Sequence, residues 1–173
     1  MVSKKVEAAL NHQIQLEAES SAFYLAMASW AETQGLGGTS EFLYKHSDEE
    51  RQHMLKLVRY VNERGGKAII PALKQPASDY KSLTNVFENL LNHEIKVTQE
   101  INSVVGICLE EKDYTTHNFM QWYVSEQIEE EALARTIMDK LRLIGNDKGG
   151  LYLFDRDIEN LTGKSVAAPS PGA

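Results

Sequence analysis

Apolar residues recur along most of this chain at steps of three and four, the spacing that lines one face of an α-helix. Four long segments carry such a seam. The first, about Ser3 to Thr33, reads Leu10, Ile14, Glu17, Ser21, Tyr24, Ala28, Ala31, flanked by Leu16, Phe23, Met27 and Trp30. The second, about Thr39 to Arg64, reads Leu43, His46, Glu50, His53, Leu57, Tyr60. The third, about Ser82 to Lys112, reads Leu83, Phe87, Leu90, Glu94, Val97, Ile101, Val104, Cys108. The fourth runs from Asp113 to about Ile144 as Met120, Tyr123, Gln127, Glu130, Ala134, Ile137, Leu141. Ser3 and Asp113 stand where helix caps belong, and Gly65, Gly66 and Gly145 where helices stop. A short apolar helix from about Leu151 to Leu161 follows Gly149 and Gly150. Strand-like alternation is nearly absent, so the expected fold class is all-α.

The connection between the second and third helices sets the topology. It spans 16 residues, Gly66 to Lys81, and holds Pro71 and Pro76. Extended at ~3.3 Å per residue it reaches about 53 Å, whereas the second helix is about 39 Å long at ~1.5 Å rise. Such a connection can cross the full length of a bundle and leave the second and third helices parallel. The expectation is a four-helix bundle with one long crossover and a short C-terminal fifth helix.

Composition narrows the field. At 173 residues the chain fits one domain, expected over residues 1–163, with a disordered Ala/Pro/Ser/Gly-rich tail over 164–173. The net charge of −7 without a Lys/Arg cluster argues against a nucleic-acid partner. A lone cysteine, Cys108, cannot build a disulfide or a Cys-rich metal site. No run approaches the ~20 apolar residues of a membrane span, and the first residues lack a secretory apolar core, so the cytoplasm is the expected location.

Each long seam is broken near its midpoint by polar groups: Glu17, Glu50 with His53, Glu94, and Gln127 with Glu130. In a bundle the midpoints share a level, so these groups converge in the core. Burying one carboxylate costs several kcal/mol unless something positive compensates it, and four together cannot all ionise. Two divalent cations would relieve the repulsion. Glu50 and His53, three residues apart, project from one face and can share an ion. Carboxylate-rich ligation with a single imidazole suits iron or manganese better than structural zinc. A di-iron bundle site takes Glu from two helices and Glu-x-x-His from two others. Three helices match, and the fourth departs, with Gln127-x-x-Glu130 in place of Glu-x-x-His.

On these residues the chain, from Ser3 to Gly163, resembles the ferritin family, in its bacterial non-haem, ferroxidase-centre-containing form. The resemblance implies a first iron site on Glu17, Glu50 and His53. It makes Glu50 a bridge to a second site completed by Glu94 and Glu130. Gln127 becomes a hydrogen-bond partner of the pair, and Tyr24 a neighbour that can hydrogen-bond a ligand and donate an electron. A third iron site falls on Glu49, Glu126 and Glu129, sharing Glu130, while Glu131 is left to a solvated acidic face. No haem is expected, because Arg51 follows Glu50 and Glu130 takes the place of a second histidine. The implied activity is oxidation of Fe(II) by O2 or H2O2, with ferric oxyhydroxide stored inside a cage of 24 subunits whose fifth helices meet at four-fold axes. Two alternatives stay open from the residues: a non-catalytic helical-bundle binding protein, and a di-iron oxygenase acting on an organic substrate.

Overall fold

The computed structural model describes residues 2–161, and among them it contains helices and loops but no strand. The helices are α1 (Lys4–Thr33), α2 (Gly37–Glu63), α3 (Leu83–Glu110), α4 (Tyr114–Ile144) and α5 (Lys148–Asp157), with a 3-10 turn at Ile158–Leu161. The tail expected to be disordered lies outside the described residues.

Local chemistry sets most of the boundaries. A helix leaves its first N–H groups without partners, and a side-chain oxygen at the cap supplies one. Ser3 accepts from Val6 N, Ser82 from Asn85 N, and Asp113 from Thr116 N. Helix α2 has no side-chain cap of its own. Its cap comes from α5: the Asp155 carboxylate accepts from Gly38 N at 3.2 Å and Thr39 N at 2.8 Å. A Cβ on Gly38 would sit 1.8 Å from the Asp155 carbonyl oxygen, so only glycine permits this approach.

The fifth helix starts earlier than its apolar pattern implies. It begins at Lys148 rather than Leu151, because the Asp147 side chain accepts from Gly150 N and caps a first turn that contains both glycines. Gly150 is needed there, since a Cβ would come within 2.8 Å of Ile144 Cγ2. This helix's apolar surface is divided between core and solvent. Phe154 and Ile158 are buried, while Tyr152 and Leu153 face outward.

Side-chain pairings give the helix directions. Ser21 and Ser47 donate to each other's backbone carbonyls between α1 and α2. Lys5 pairs with Glu110 and Tyr24 with Glu94, so α1 and α3 run antiparallel. Tyr60 pairs with Thr116, and Tyr123 donates to the His53 carbonyl, so α2 and α4 are antiparallel too. Val2 N donates to Arg64 O and Tyr44 to Glu32 on either side of the Ser21–Ser47 pair, so α1 is antiparallel to α2 as well, and α2 and α3 are parallel, which is what the long crossover permits. Asn11 and Asn62 pin the start of that crossover through Lys67 O, Ile69 N and Ala68 N.

The seams close into two apolar clusters. One holds Phe42, Leu43, Phe87, Leu90, Ile137 and Leu141 with Phe154 of α5. The other holds Val6, Leu10, Ile14, Leu57, Val97, Ile101 and Met120. Each fully buried aliphatic or aromatic side chain contributes about 1.5–3 kcal/mol. Between the clusters lies a belt of buried Glu17, Glu50, Glu94 and Gln127. The fold thus spends its apolar ends on holding a charged middle.

Candidate metal centre

The belt brings together what the seams implied. On one side are Glu17 from α1 and Glu50 and His53 from α2. His53 Nδ1 lies 3.8 Å from Glu17 Oε2 and 3.6 Å from Glu50 Oε2. All three donor atoms fall within 4.8 Å of one another, close enough to surround one ion. Glu17 is raised well above the usual carboxylate range, first by burial and then by the facing Glu50. Glu50 is raised well above that range too, by burial and by Glu94. The two acids face each other in the core, so a cation between them would relieve the cost of their charge.

On the other side, Glu94 is held at both oxygens. Tyr24 donates to its Oε1 at 2.8 Å, and Gln127 Nε2 donates to its Oε2 at 2.7 Å. Burial still raises Glu94, although both donors favour its charged form. Glu130 is pushed up to about 8, first by burial, then by Glu94 and Glu49. A group that so resists ionising is one that a metal cation would readily deprotonate.

The outer acids are disposed less tightly. Glu126 lies within electrostatic reach of Glu129, Glu49 and the His53 ring, and burial raises it. Glu49 and Glu129 are exposed. Glu131 departs from expectation. It is not a solvated acid: its side chain is only 13% exposed, accepts from Thr98 Oγ1 and pairs with Arg135. The register of α4 turns it toward α3, where Thr98 awaits it.

Three further residues belong to the region. Gln13, fully buried, donates from Nε2 to Glu17 Oε1 at 2.7 Å. Its spacing of four from Glu17 on one helix face is a signal the sequence offers. Lys56 sets its ammonium 3.2 Å from the centroid of the Trp122 ring, which meets the His53 ring edge-on. His46 packs its ring against Phe42 and Tyr24 and points Nε2 at Glu49 and Glu130. It stands on the α2 seam seven residues before His53, where a lone histidine reads as core.

Carboxylates from four helices, an imidazole and paired hydrogen-bond donors converge in the core, where Glu17, Glu50 and His53 could hold a metal ion. Comparison with known proteins agrees. A family profile described as a ferritin-like domain matches residues 7–144. The chain belongs to the ferritin family. It is 49% identical over 165 residues to a "Probable bacterial non-heme ferritin-like protein" of Haemophilus influenzae, covering 95% of this chain and 100% of that one. It is 47% identical over 161 residues to a "Bacterial non-heme ferritin" of Campylobacter jejuni, covering 93% and 96%. Among solved structures, an open pore ferritin from Archaeoglobus fulgidus superposes with a TM-score of 0.90 at 42% identity, covering 91% of this chain and 98% of that chain. A Chlorobium tepidum ferritin gives 0.83 at 44% identity, covering 94% and 99%. This ferritin has no helix among the described residues long and apolar enough to cross a membrane.

Proposed function

We propose that this chain stores iron and is a ferroxidase, taking Fe(II) as substrate at the belt and passing Fe(III) to a mineral inside a cytoplasmic cage of 24 subunits. The observation that carries the reading is the convergence of Glu17, Glu50 and His53 within 4.8 Å, beside Glu94 and Glu130, where burial and neighbouring acids raise the carboxylates above their ordinary range. Glu17, Glu50 and His53 hold the first Fe(II), and Glu50, Glu94 and Glu130 the second. Hard carboxylate donors favour Fe(III) over Fe(II), so they lower the potential and drive electrons toward the oxidant. Two adjacent Fe(II) supply two electrons together, reducing O2 with two protons to H2O2, or H2O2 with two protons to water.

The chain's own residues manage the protons and the geometry. Glu17, Glu50 and Glu130 hold protons in the empty site and release them as cations enter. Gln13 and Gln127 orient Glu17 and Glu94 by their amide N–H groups. Tyr24 keeps its phenol proton against Glu94, with burial holding the phenol well above its ordinary range, and can give an electron with its proton passing to that carboxylate. Glu49, Glu126 and Glu129 receive iron outside the pair. Outward-facing Tyr152, Leu153 and Leu143 support the assembly, because a monomer would leave them in water.

Addition of Fe(II) in air tests the reading. Ferric absorbance should rise faster than in protein-free buffer, and cage-sized particles should elute with iron inside. A rise no faster than the control would reject the ferroxidase reading. Retained iron without accelerated oxidation would leave a binding bundle.

A further inference from the structure

The outer acids are not the whole of what faces them. His46 is buried at 4% exposure, while Glu49 beside it is open to solvent. Its Nδ1 lies 2.9 Å from the Phe42 carbonyl oxygen. A carbonyl oxygen only accepts, so Nδ1 carries the hydrogen and Nε2 is the atom left to face the acids. Nε2 stands 3.9 Å from Glu49 Oε2 and 3.9 Å from Glu130 Oε2, too far for a hydrogen bond to either. The three donor atoms nevertheless fall within 4.8 Å of one another. The ring packs against Phe42 at 4.2 Å and Tyr24 at 5.5 Å between centroids, which together with the Nδ1 hydrogen bond fixes this aim. A histidine that gives one N–H to a backbone carbonyl and turns its other nitrogen toward carboxylates is arranged as metal-ligating histidines are.

We propose that His46 is a metal ligand: Nε2, with Glu49 and Glu130, forms an outer divalent-cation site that has a nitrogen donor. This rests on the reading of the belt as an iron-oxidation centre, and changes the chemistry of its exit. A third site of carboxylates alone would favour hard cations. One with an imidazole also holds borderline ions, Zn(II) and Co(II) among them, more tightly than Fe(II). Exposed Glu49 supplies the solvent-facing arm of the site, and Glu130, near Glu94 on its other side, joins it to the inner pair.

The test uses the assembled protein, crystallised and soaked anaerobically with Zn(II), with anomalous density locating each ion. The expected result is an ion about 2.0–2.1 Å from His46 Nε2, also bound by Glu49 and Glu130. Anaerobic Co(II) titration of His46→Gln should show one equivalent per subunit lost or weakened by at least the roughly 10–100-fold that losing a supporting partner costs. Titration of Glu49→Gln should show the same loss, which covers the case of a His46 variant that does not assemble. Zn(II) held by Glu49, Glu126 and Glu129 with Nε2 turned away would overturn the proposal, as would full occupancy in His46→Gln. Ions absent from Glu17, Glu50 and His53 as well would instead bring down the ferroxidase reading beneath it. Ions present there but not at His46 would reject this inference alone.

Discussion

The two halves of the belt are built differently. Glu17, Glu50 and His53 face one another with Glu17 Oε2, Glu50 Oε2 and the imidazole converging, and only Glu17 Oε1 is engaged, by Gln13. Glu94 has both oxygens engaged, by Tyr24 and Gln127, and Glu130 reaches away toward His46 and Glu49. One half is ready for a cation; the other must exchange hydrogen bonds for one. If the belt takes two cations as proposed, this difference predicts an order of filling: the α1–α2 half first, the α3–α4 half second. That order would have a chemical use in the proposed reaction, since the second Fe(II) would complete the pair only when the first is already placed.

The sharpest way to break the comparison is to remove the group both halves share. Glu50 faces Glu17 and His53 on one side and feels Glu94 and Glu130 on the other. Glu50→Ala should slow the fast oxidation by roughly 100-fold or more, since losing even a supporting partner of a metal ligand costs about 10–100-fold. Stopped-flow absorbance at two Fe(II) per subunit reads this directly. A fast phase that survives would mean that the halves work independently.

The next test separates neighbours on α4. Glu130 is largely covered, whereas Glu129 is exposed, about 100° further round the helix. Glu130→Ala should cripple the fast phase while the first half still binds one cation. Glu129→Ala should keep the fast phase and alter only the iron-to-oxygen stoichiometry at larger additions. The reverse pattern would put the register of α4 wrong by one residue.

That register was legible from the seams alone, because a residue placed at the midpoint of a buried stripe has only one direction to face. Glu17, Glu50, His53, Glu94, Gln127 and Glu130 all arrive in one belt for this reason. What the seams could not show is decided by partners on other helices. Glu131 looked solvated because one helix cannot reveal that Thr98 of α3 will cover it. His46 stands on the α2 seam among apolar positions, and one helix cannot reveal that its Nε2 will face Glu130 of α4. The start of α5 and the missing cap of α2 trace to Asp147 and Asp155, ordinary surface acids until the backbone brings them to free N–H groups.

A smaller effect lies in the pH dependence of the apo protein. Glu130 is raised from the ordinary 4.5 to about 8, so between those values the folded chain keeps a proton that the unfolded chain has lost. Its contribution is complete below about 4.5 and disappears as pH rises through 8, with a slope up to about 1.4 kcal/mol per pH unit. His93 works oppositely: burial lowers it to about 4, so its contribution is lost as pH falls below 6.5. Between pH 6.5 and 8 the carboxylates therefore dominate. Urea midpoints of metal-free protein should fall across that window, and Glu130→Gln should flatten the fall. Saturating Co(II) should reverse it, because metal then replaces the proton. A flat profile for the unmodified apo protein would mean that Glu130 is ionised in the fold.

The finest distinction concerns the two glutamines that support the halves. Gln13 gives its N–H to Glu17 Oε1, while its own Oε1 is buried without a partner. Gln127 gives its N–H to Glu94 Oε2 and also to the Glu94 carbonyl. Leucine matches glutamine in bulk, so either substitution removes the hydrogen bonds with little change in packing. A hydrogen bond to a charged group is worth about 1.5–3 kcal/mol, and most of that should appear in metal affinity. Gln13→Leu also removes an unsatisfied oxygen, so its fold should be as stable as before; Gln127→Leu gains no such compensation and should be slightly less stable. Anaerobic Co(II) titration should then show two steps affected separately. Gln13→Leu should weaken the first, because Glu17 is no longer held toward His53. Gln127→Leu should shift the second and leave the first in place. If both variants weaken the same step, the halves are not supported separately, and the order of filling must come from something other than their hydrogen bonds.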